Sequence, residues 1–264
     1  MLRKAIRSFL NRRGFEIIKK EYLGAPYPAK RINNELYYET PLGNYYLPLD
    51  AEKDGVANFM RRGRVHDPEV LEVAQRFIKP GTAALDVGAN FGQMCVLFAR
   101  MTGDNGKVYG FEAQDKVFYF LKKSIEASGH SNIVLKDGAV YNEDGKILIF
   151  PEPDYSKFDP YGSNSINPKM SSGGREVKTY TIDSLNIKEP ITFMKVDIQG
   201  SDLFALKGAK QTIFKNKMAI LFEFEQEFQE QFGTSFQDYV DFAAEINYKF
   251  VEIIAEKNFL IVPK

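Results

Sequence analysis

Two groups of residues in this sequence have the types and spacing to bind a ligand that carries a ribose. The first lies in the stretch ALDVGANFGQM, where an apolar segment leads into a glycine turn, and its members are Asp86, Gly88, Ala89, Asn90 and Gly92. The second is Glu112 with its neighbour Ala113, at the end of the next apolar segment and roughly 20 residues beyond the turn. A carboxylate at such a strand end can accept hydrogen bonds from both hydroxyls of a ribose.

The glycine spacing favours S-adenosylmethionine over a dinucleotide. A pyrophosphate loop needs closely spaced glycines, whereas Asn90 stands where the second glycine would be expected between Gly88 and Gly92. No Gly-Lys-Ser or Gly-Lys-Thr follows, which excludes a Walker-type loop. We therefore predict that Glu112 binds the ribose, that the turn amides receive the amino-acid carboxylate, and that Asp86 lies near the ammonium group. An ordinary turn beside a solvated glutamate would explain either feature alone, but not their separation.

Strands and helices must alternate to bring these residues to one edge of a sheet, and the sequence after about residue 65 shows this alternation. Apolar runs predict core strands at 83–87, 107–111, 132–136, 192–198 and 218–224, and hairpins at 146–150 with 176–182 and at 249–254 with 258–262. Helices are predicted at 67–77, after Gly92, from 116 to Gly129, up to 207, and after a Thr234/Gln237 capping box. Asp137 follows the third core strand, where it could meet an adenine edge or simply form a turn.

This pattern predicts an α/β three-layer sandwich. Because strands alternate with helices, the sheet should be mostly parallel, with helices on both faces. We expect seven strands, an antiparallel C-terminal strand and an added β-hairpin.

Composition indicates a cytoplasmic protein that is not a nucleic-acid binder; it points to no metal ligands, and whether a divalent metal assists stays open. The chain has 264 residues, 44% of them hydrophobic, and 35 basic residues balance 35 acidic ones, which argues against a nucleic-acid binder. One cysteine and two histidines give little capacity for a disulfide framework or a zinc site. No apolar run approaches the about 20 residues that span a bilayer. The sequence predicts no particular oligomeric state.

Positive charge is concentrated at the N-terminus. Residues 1–20 contain seven lysines and arginines against one acidic residue, Glu16, and their apolar residues lie near helical spacing. Such a helix can lie on the inner membrane surface or dock on its own domain. We predict that residues 1–60 form a basic helix and a short β extension, with two strands within 35–49, and that residues 61–264 form the cofactor-binding domain.

Four blocks of the sequence resemble those of the FkbM-type methyltransferases, a branch of the class I, Rossmann-like fold that uses S-adenosylmethionine. The blocks are ALDVGANFGQM, VYGFEAQ, TYTIDSL and FMKVDIQGSDLFALKGA, and the resemblance covers roughly residues 60–225. Characterised members are similar in methylating hydroxyl groups, so the resemblance implies O-methylation of a saccharide, a glycolipid precursor or a natural product. The family usually has glutamate before the glycine of the last block and an acid two residues after it. In this chain Gln199 stands in place of the glutamate, and Asp202 is the acid that follows.

Methyl transfer to a neutral hydroxyl needs a group that accepts the proton. Asp197, at the end of the fourth core strand, is the first candidate, although it could instead cap the next helix. Lys195 is a candidate substrate contact; it could also orient Asp197 or face the opposite side of the strand. Glu223 and His66 compete for the same role, but a buried glutamate can be structural and a loop histidine can be a bystander.

The stretch 151–175 is rich in Pro, Gly, Ser, Asn and Tyr and is longer than an ordinary connection. It is either a lid over the acceptor or a disordered insertion. The residues predicted to contact the acceptor are Tyr161, Ser163 and Asn164, with Tyr155, Phe158 and Ser165 nearby.

Two alternatives remain open at this point. A nicotinamide-dependent sugar-modifying enzyme would share the acidic strand end, but it needs the pyrophosphate loop that this chain lacks. A non-catalytic S-adenosylmethionine-binding module is conceivable because Gln199 replaces a carboxylate of the family pattern.

Overall fold

The computed structural model describes residues 24–156, 161–162, 164–166, 169–170, 172–255 and 257–264. The basic segment 1–20 and the predicted acceptor residues Phe158 and Ser163 lie outside these residues. The described chain opens with an antiparallel meander of β1 (Ala29–Ile32), β2 (Glu35–Thr40) and β3 (Gly43–Pro48). The last two strands are those predicted within 35–49, and β1 was not predicted because its residues are all exposed.

The rest of the chain alternates strands and helices, as its periodicity predicts. The helices are α1 (Gly55–Met60), α2 (Pro68–Phe77), α3 (Gln93–Thr102), α4 (Asp115–Ser128), α5 (Asp202–Lys207), α6 (Lys210–Asn216), α7 (Gln226–Phe232) and α8 (Phe236–Glu245). The remaining strands are β4 (Ala83–Val87), β5 (Lys107–Glu112), β6 (Ile133–Asp137), β7 (Ala139–Val140), β8 (Ile147–Pro151), β9 (Gly174–Tyr180), β10 (Ile191–Val196), β11 (Ala219–Glu223), β12 (Tyr248–Ile254) and β13 (Asn258–Pro263). Helices α1, α6 and α7 were missed because two turns or fewer carry too little periodicity.

A seven-stranded sheet forms the centre of the fold, in the order β12-β13-β11-β10-β4-β5-β6. Strand β13 runs antiparallel to both of its neighbours, while β11, β10, β4, β5 and β6 pair in parallel. The predicted α/β class, the mostly parallel sheet and the antiparallel C-terminal strand are therefore confirmed. Strands β8 and β9 form the added hairpin, and the short β7 pairs with β9.

The sheet is covered on both faces. Strands β4 and β11 are buried along their whole length, which is why their sequences are nearly continuous apolar runs. One apolar cluster joins one face of the sheet to α2, α3, α4 and the meander, and a second joins the other face to α5, α6 and α8. No helix within the described residues is both long and apolar enough to cross a membrane.

The meander packs directly on α4. The Tyr46 amide donates to the Ser124 hydroxyl over 3.1 Å, and Glu35 pairs with both Tyr119 and Lys123 of the helix. Buried meander residues belong to the same apolar cluster as α3 and α4. The segment before the first core strand therefore shares its core with the sheet.

The N-terminus of α8 has a capping box one residue later than predicted. Ser235 and Asp238 exchange the two hydrogen bonds of the box, whereas Thr234 donates to Gln229 of α7 over 2.5 Å and Gln237 pairs with Asp241. The prediction of a Thr234/Gln237 box was wrong because Thr and Gln also satisfy the pattern, and the pattern cannot detect that α7 provides another partner for Thr234.

The Ser235→Ala substitution should lower the free energy of unfolding by about 1 kcal/mol, because the N-terminal amides of α8 lose their side-chain acceptor. The matched control is Gln237→Ala, which removes only an exposed i,i+4 pair and should cost about 0.5 kcal/mol or less. Urea denaturation followed by circular dichroism measures both. Equal losses in the two variants would contradict the observed position of the box.

Candidate active site

The glycine turn after β4 packs against the end of β10. Gly88 has φ +83°, and a Cβ at this position would lie 1.9 Å from the carbonyl oxygen of Asp197. Asp197 in turn donates its amide to the carbonyl of Val87 over 3.0 Å. Only glycine fits this approach, since an L-side chain would be strained by the backbone angle and would overlap the neighbouring strand. The turn and Asp197 therefore form one rigid edge.

The amides of the turn all have acceptors within the chain. Those of Gly88 and Ala89 donate to the Phe111 carbonyl, and Asn90 donates to the Glu112 carboxylate over 3.0 Å. The amide of Phe91 donates to the Asn90 side chain and that of Gly92 to the Ala89 carbonyl. Three of these amides donate to the end of β5 and two donate within the turn, so a carboxylate received by the turn amides, which stays a prediction, would have to replace some of these bonds.

Glu112 lies where the sequence places it, at the carboxyl end of β5. Its Oε1 accepts hydrogen bonds from the amides of Ala113 and Gln114 over 2.9 and 2.8 Å, and its Oε2 accepts one from Asn90. Burial raises the pKa of Glu112, and the three amides oppose that shift. Each carboxylate oxygen can accept two hydrogen bonds, so Oε2 keeps capacity for one more donor, such as a ribose hydroxyl.

A buried amide beside Glu112 lacks a partner. Gln114 is 3% exposed, and its Nε2 makes no hydrogen bond of good geometry among the described residues, although its side chain lies beside the Tyr155 hydroxyl. An unpaired buried donor is costly and usually marks a place where a ligand or water binds. Asp137 is aligned with Glu112 on the adjacent strand and is exposed. The atoms around its carboxyl group still shield it partly from water, which raises its pKa. These donors and acceptors fit a nucleoside.

Lys195 is a buried cation that connects two strand ends. It is 6% exposed, and its Nζ lies 3.4 Å from Asp86 Oδ1, 3.4 Å from Asp197 Oδ2 and 3.1 Å from the Gly88 carbonyl. Cys95 donates its thiol to the other oxygen of Asp86 over 3.1 Å. Burial alone would lower the pKa of Lys195, but Asp197 and Asp86 outweigh it and raise that pKa. Lys195, which was predicted to contact the substrate, is thus more deeply buried than Asp197, and its ammonium group is engaged by Asp86 and Asp197.

The carboxylates at the ends of β10 and β11 are joined by one amide. Gln199 Nε2 donates to Glu223 Oε2 over 2.8 Å and to Asp197 Oδ1 over 3.3 Å, while Lys257 Nζ lies 2.5 Å from Glu223 Oε1. Burial would raise the pKa of Asp197, but Lys195 and Lys257 outweigh it and lower that pKa to about 2. Burial and the charge of Asp197 raise the pKa of Glu223 well above its usual range.

Asp202 holds the turn that carries Gln199. It is fully buried, and its oxygens accept the amides of Gly200 and Ile198 over 3.0 and 3.4 Å. This contact stabilises the left-handed conformation of Gln199, which has φ +53°. Burial and the nearby Asp197 raise the pKa of Asp202 to about 7. The second acid of the family pattern therefore has a backbone partner instead of facing the site.

His66 and Asp67 lie at the same edge, just before α2. His66 Nδ1 and Asp67 Oδ2 are 2.9 Å apart, and the His66 amide donates to the side chain of Gln93 over 2.9 Å. Burial would raise the pKa of Asp67, but His66 outweighs it and lowers that pKa. The charges of Asp197 and Lys257 have smaller effects on it, in opposite directions. The bond to Gln93, the first residue of α3, places His66 and Asp67 beside the glycine turn.

The described part of the 151–175 segment reaches both turns of the site. Tyr161 is buried, donates its hydroxyl to Asp50 over 3.0 Å and packs its ring edge-to-face on Phe91 of the glycine turn. Ser165 donates to the Ile198 carbonyl, next to Asp197, over 3.1 Å. Asn164 is half-buried between them. This placement agrees with a covering segment, whose remaining residues lie outside the description.

Sequence reasoning missed four participants, namely Asp67, Gln93, Gln114 and Lys257. Gln93 and Gln114 stand inside or beside the quoted motifs, and their proximity to the glycine turn was a signal that could have been used. Lys257 lies in the turn between β12 and β13, and nothing local distinguishes it from a solvated lysine.

Known proteins share parts of this sequence. The chain matches the family described as Methyltransferase FkbM domain over residues 86–250. Protein-L-isoaspartate O-methyltransferase 1 of Arabidopsis thaliana is 34% identical over 34% of this chain and 37% of its own length. The corresponding enzyme of Methanococcoides burtonii is 26% identical over 38% of this chain and 45% of its own length. The chain thus spans about half the length, or less, of these two curated relatives.

Solved structures show similar strand and helix arrangements at low identity. A methyltransferase FkbM from Methylobacillus flagellatus is 17% identical, with a TM-score of 0.47, over 79% of this chain and 52% of that chain. An S-adenosylmethionine-dependent O-methyltransferase from Thermotoga maritima is 14% identical, with a TM-score of 0.46, over 92% of this chain and 78% of that chain. At this level of similarity the fold description rests on the strand order of the chain itself.

The Gly88→Ala substitution should lower the free energy of unfolding by about 3 kcal/mol or more, because the new Cβ overlaps the Asp197 carbonyl and the backbone is left-handed. Gly81→Ala is the matched control, since Gly81 has φ +79° but nothing within 4 Å of the added Cβ. It should cost only about 1–2 kcal/mol. Urea denaturation compares the two, and similar losses would mean that the strand ends do not pack closely.

Proposed function

Because this chain belongs to the FkbM methyltransferase family, we propose that it binds S-adenosylmethionine and transfers the methyl group to a hydroxyl group. The acceptor that the proposal favours is a saccharide, a glycolipid precursor or a natural product. The observation that carries the proposal is the arrangement of Glu112, whose carboxylate joins the glycine turn to the end of β5 and keeps capacity for a ribose hydroxyl.

The residues that would hold the cofactor surround this carboxylate. Glu112 would accept a ribose hydroxyl, and the unpaired amide of Gln114 would donate to the nucleoside. Asp86 Oδ1 is already paired at 3.4 Å with the Lys195 ammonium group, and the Asp86 carboxylate would add negative charge near the ammonium group of the cofactor. When bound, S-adenosylmethionine supplies an electrophilic methyl group. The task of the protein is then to hold the acceptor oxygen in line with that methyl group and to remove the proton from the oxygen.

The covering segment supports an acceptor rich in hydroxyl groups. The half-buried Tyr155 has its ring centre 5.3 Å from that of the buried Tyr161, and Lys116 Nζ lies 3.9 Å from the ring centre of Tyr155. Ser165 adds a hydroxyl that donates to the carbonyl of Ile198, next to Asp197, and the half-buried Asn164 precedes it. Flat aromatic and polar groups together suit a sugar better than an apolar ring, which would need a continuous apolar surface.

The proposal places the protein in the cytoplasm, where the N-terminal residues 1–20 contact the inner membrane surface. The concentration of seven basic residues in this segment supports the contact. The balance of 35 basic and 35 acidic residues supports an acceptor other than nucleic acid.

The Glu112→Gln variant should bind S-adenosylhomocysteine about tenfold more weakly than the wild type, a loss of about 1.4 kcal/mol, because an amide presents one acceptor oxygen instead of two. Glu126→Gln, on the exposed side of α4, is the matched control and should bind like the wild type. Isothermal titration calorimetry measures all three, with NADH as a second ligand. Binding of NADH without S-adenosylhomocysteine would overturn the proposed cofactor.

The acceptor class is tested by incubating the protein and S-adenosylmethionine with separate probes. We expect a mass gain of one CH₂ on a sugar, a sugar nucleotide or an extracted glycolipid, and none on a peptide that contains isoaspartate. Methylation of the peptide alone would contradict the hydroxyl acceptor, because it would show transfer to a carboxylate. Binding of the cofactor without transfer to any probe would favour the non-catalytic module.

A further inference from the structure

We propose that His66 accepts the proton of the acceptor hydroxyl, and that Asp67 and Gln93 are the positioning residues that hold its imidazole at the site. This inference rests on the proposed function and specifies how the reaction loses its proton. It concerns a segment that precedes residues 86–250, the part matched by the family.

Asp67 fixes which nitrogen of His66 carries the proton. The carboxylate oxygen Oδ2 lies 2.9 Å from Nδ1, and an ionised carboxylate can only accept a hydrogen bond. The neutral imidazole is then protonated at Nδ1, and Nε2 has the basic lone pair. A carboxylate that orients a histidine in this way also stabilises the imidazolium that forms when the proton arrives.

Gln93 holds the histidine segment against the glycine turn. It is 3% exposed, its Oε1 accepts the His66 amide over 2.9 Å, and its Nε2 donates to the Arg64 carbonyl over 2.7 Å. Gln93 is the first residue of α3 and directly follows Gly92. The backbone of residues 64–66 therefore has a fixed position relative to the turn, and Phe59 packs edge-to-face on the imidazole with ring centres 5.2 Å apart.

The dyad lies close to the other charged groups of the site. Asp197 raises the pKa of Asp67 and Lys257 lowers it, while Asp67 contributes to the raised pKa of Lys195. The placement itself follows from contacts: Gln93 joins the segment before α2 to the glycine turn, and Gly88 of that turn packs against the Asp197 carbonyl at the end of β10. The segment before α2, the glycine turn and the end of β10 therefore lie at one edge of the sheet.

The two carboxylates are less suited to accept the proton. Both oxygens of Asp197 are engaged, one by Lys195 and the other by Gln199, and the charges of Lys195 and Lys257 favour its ionised form so strongly that it is a weak base. Glu223 has both oxygens engaged, one by Gln199 and the other by Lys257, so neither is open to the acceptor hydroxyl.

The step balances with His66 as the base. The acceptor oxygen forms a bond to the methyl carbon, and the electron pair of the carbon–sulfur bond goes to sulfur. The hydroxyl proton passes to Nε2 of His66. The resulting imidazolium is paired with Asp67 and returns its proton to water after the products leave.

Nuclear magnetic resonance of the imidazole nitrogens tests the dyad without an acceptor. The chain has two histidines, so a His130→Gln variant assigns the signals of His66. With S-adenosylhomocysteine present, we expect the neutral His66 ring to be protonated mainly at Nδ1. In Asp67→Asn the proton should shift toward Nε2, because the asparagine amide can donate to Nδ1. An unchanged tautomer in Asp67→Asn, or a wild-type ring protonated at Nε2, would overturn the assignment.

Transfer kinetics test the base itself, with the probe that gains a methyl group in the acceptor screen. His66→Ala should lose about 10²- to 10⁴-fold in kcat, bind S-adenosylhomocysteine like the wild type, and recover activity with added imidazole. His130→Gln, at the opposite edge of the sheet, should keep the wild-type rate. A His66→Ala variant with wild-type kcat refutes the proposal, and so does one that loses activity but gains nothing from imidazole while folding and binding normally.

The two failures can be told apart. If the wild type binds no S-adenosylhomocysteine or methylates no probe, the proposed function fails, and the base assignment fails with it. If the wild type methylates a probe and the tautomer and rescue experiments fail, only the assignment of His66 is wrong.

Discussion

The ion pairs of one buried lysine hold this site together. Lys195 and Asp86 occupy paired positions on adjacent strands, and Asp197 follows two residues later on the same face of the sheet. A buried carboxylate without a partner is strongly unfavourable, so the fully buried Asp86, with the partly exposed Asp197 beside it, requires a cation. The ammonium group meets this requirement, and its hydrogen bond to Gly88 joins the charge network to the cofactor turn.

The need to balance the negative charge at this edge also gives a physical role to Gln199, which departs from the family pattern. At position 199 a glutamate would place a third acid beside Asp197 and Glu223, with only Lys195 and Lys257 to balance it. The Gln199 amide instead donates to both carboxylates and reduces their repulsion. The family's acidic pair is thus replaced by a pair that spans two strands, and sequence adjacency gives no indication of this partnership.

The sequence predicted what depends on local pattern and missed what depends on distant partners. The parallel strands were readable because burial on both faces produces continuous apolar runs, and Glu112 was readable because it ends such a run at a fixed separation from the glycine turn. Lys257 was not readable, because only the antiparallel return of β13 brings its turn to Glu223. The acceptors of the Gly88, Ala89 and Asn90 amides were not readable for the same reason, since they belong to β5.

The hydrogen bond between Tyr161 and Asp50 connects two regions that would otherwise be free to diverge separately. Segments that cover binding sites often change in length and sequence while the scaffold is retained. Here the covering segment has its partner in the turn after β3, so a change in either is felt by the other. Grafting residues 151–175 from a relative in order to exchange acceptor preference would therefore require the matching meander as well. The two regions would have to be exchanged together.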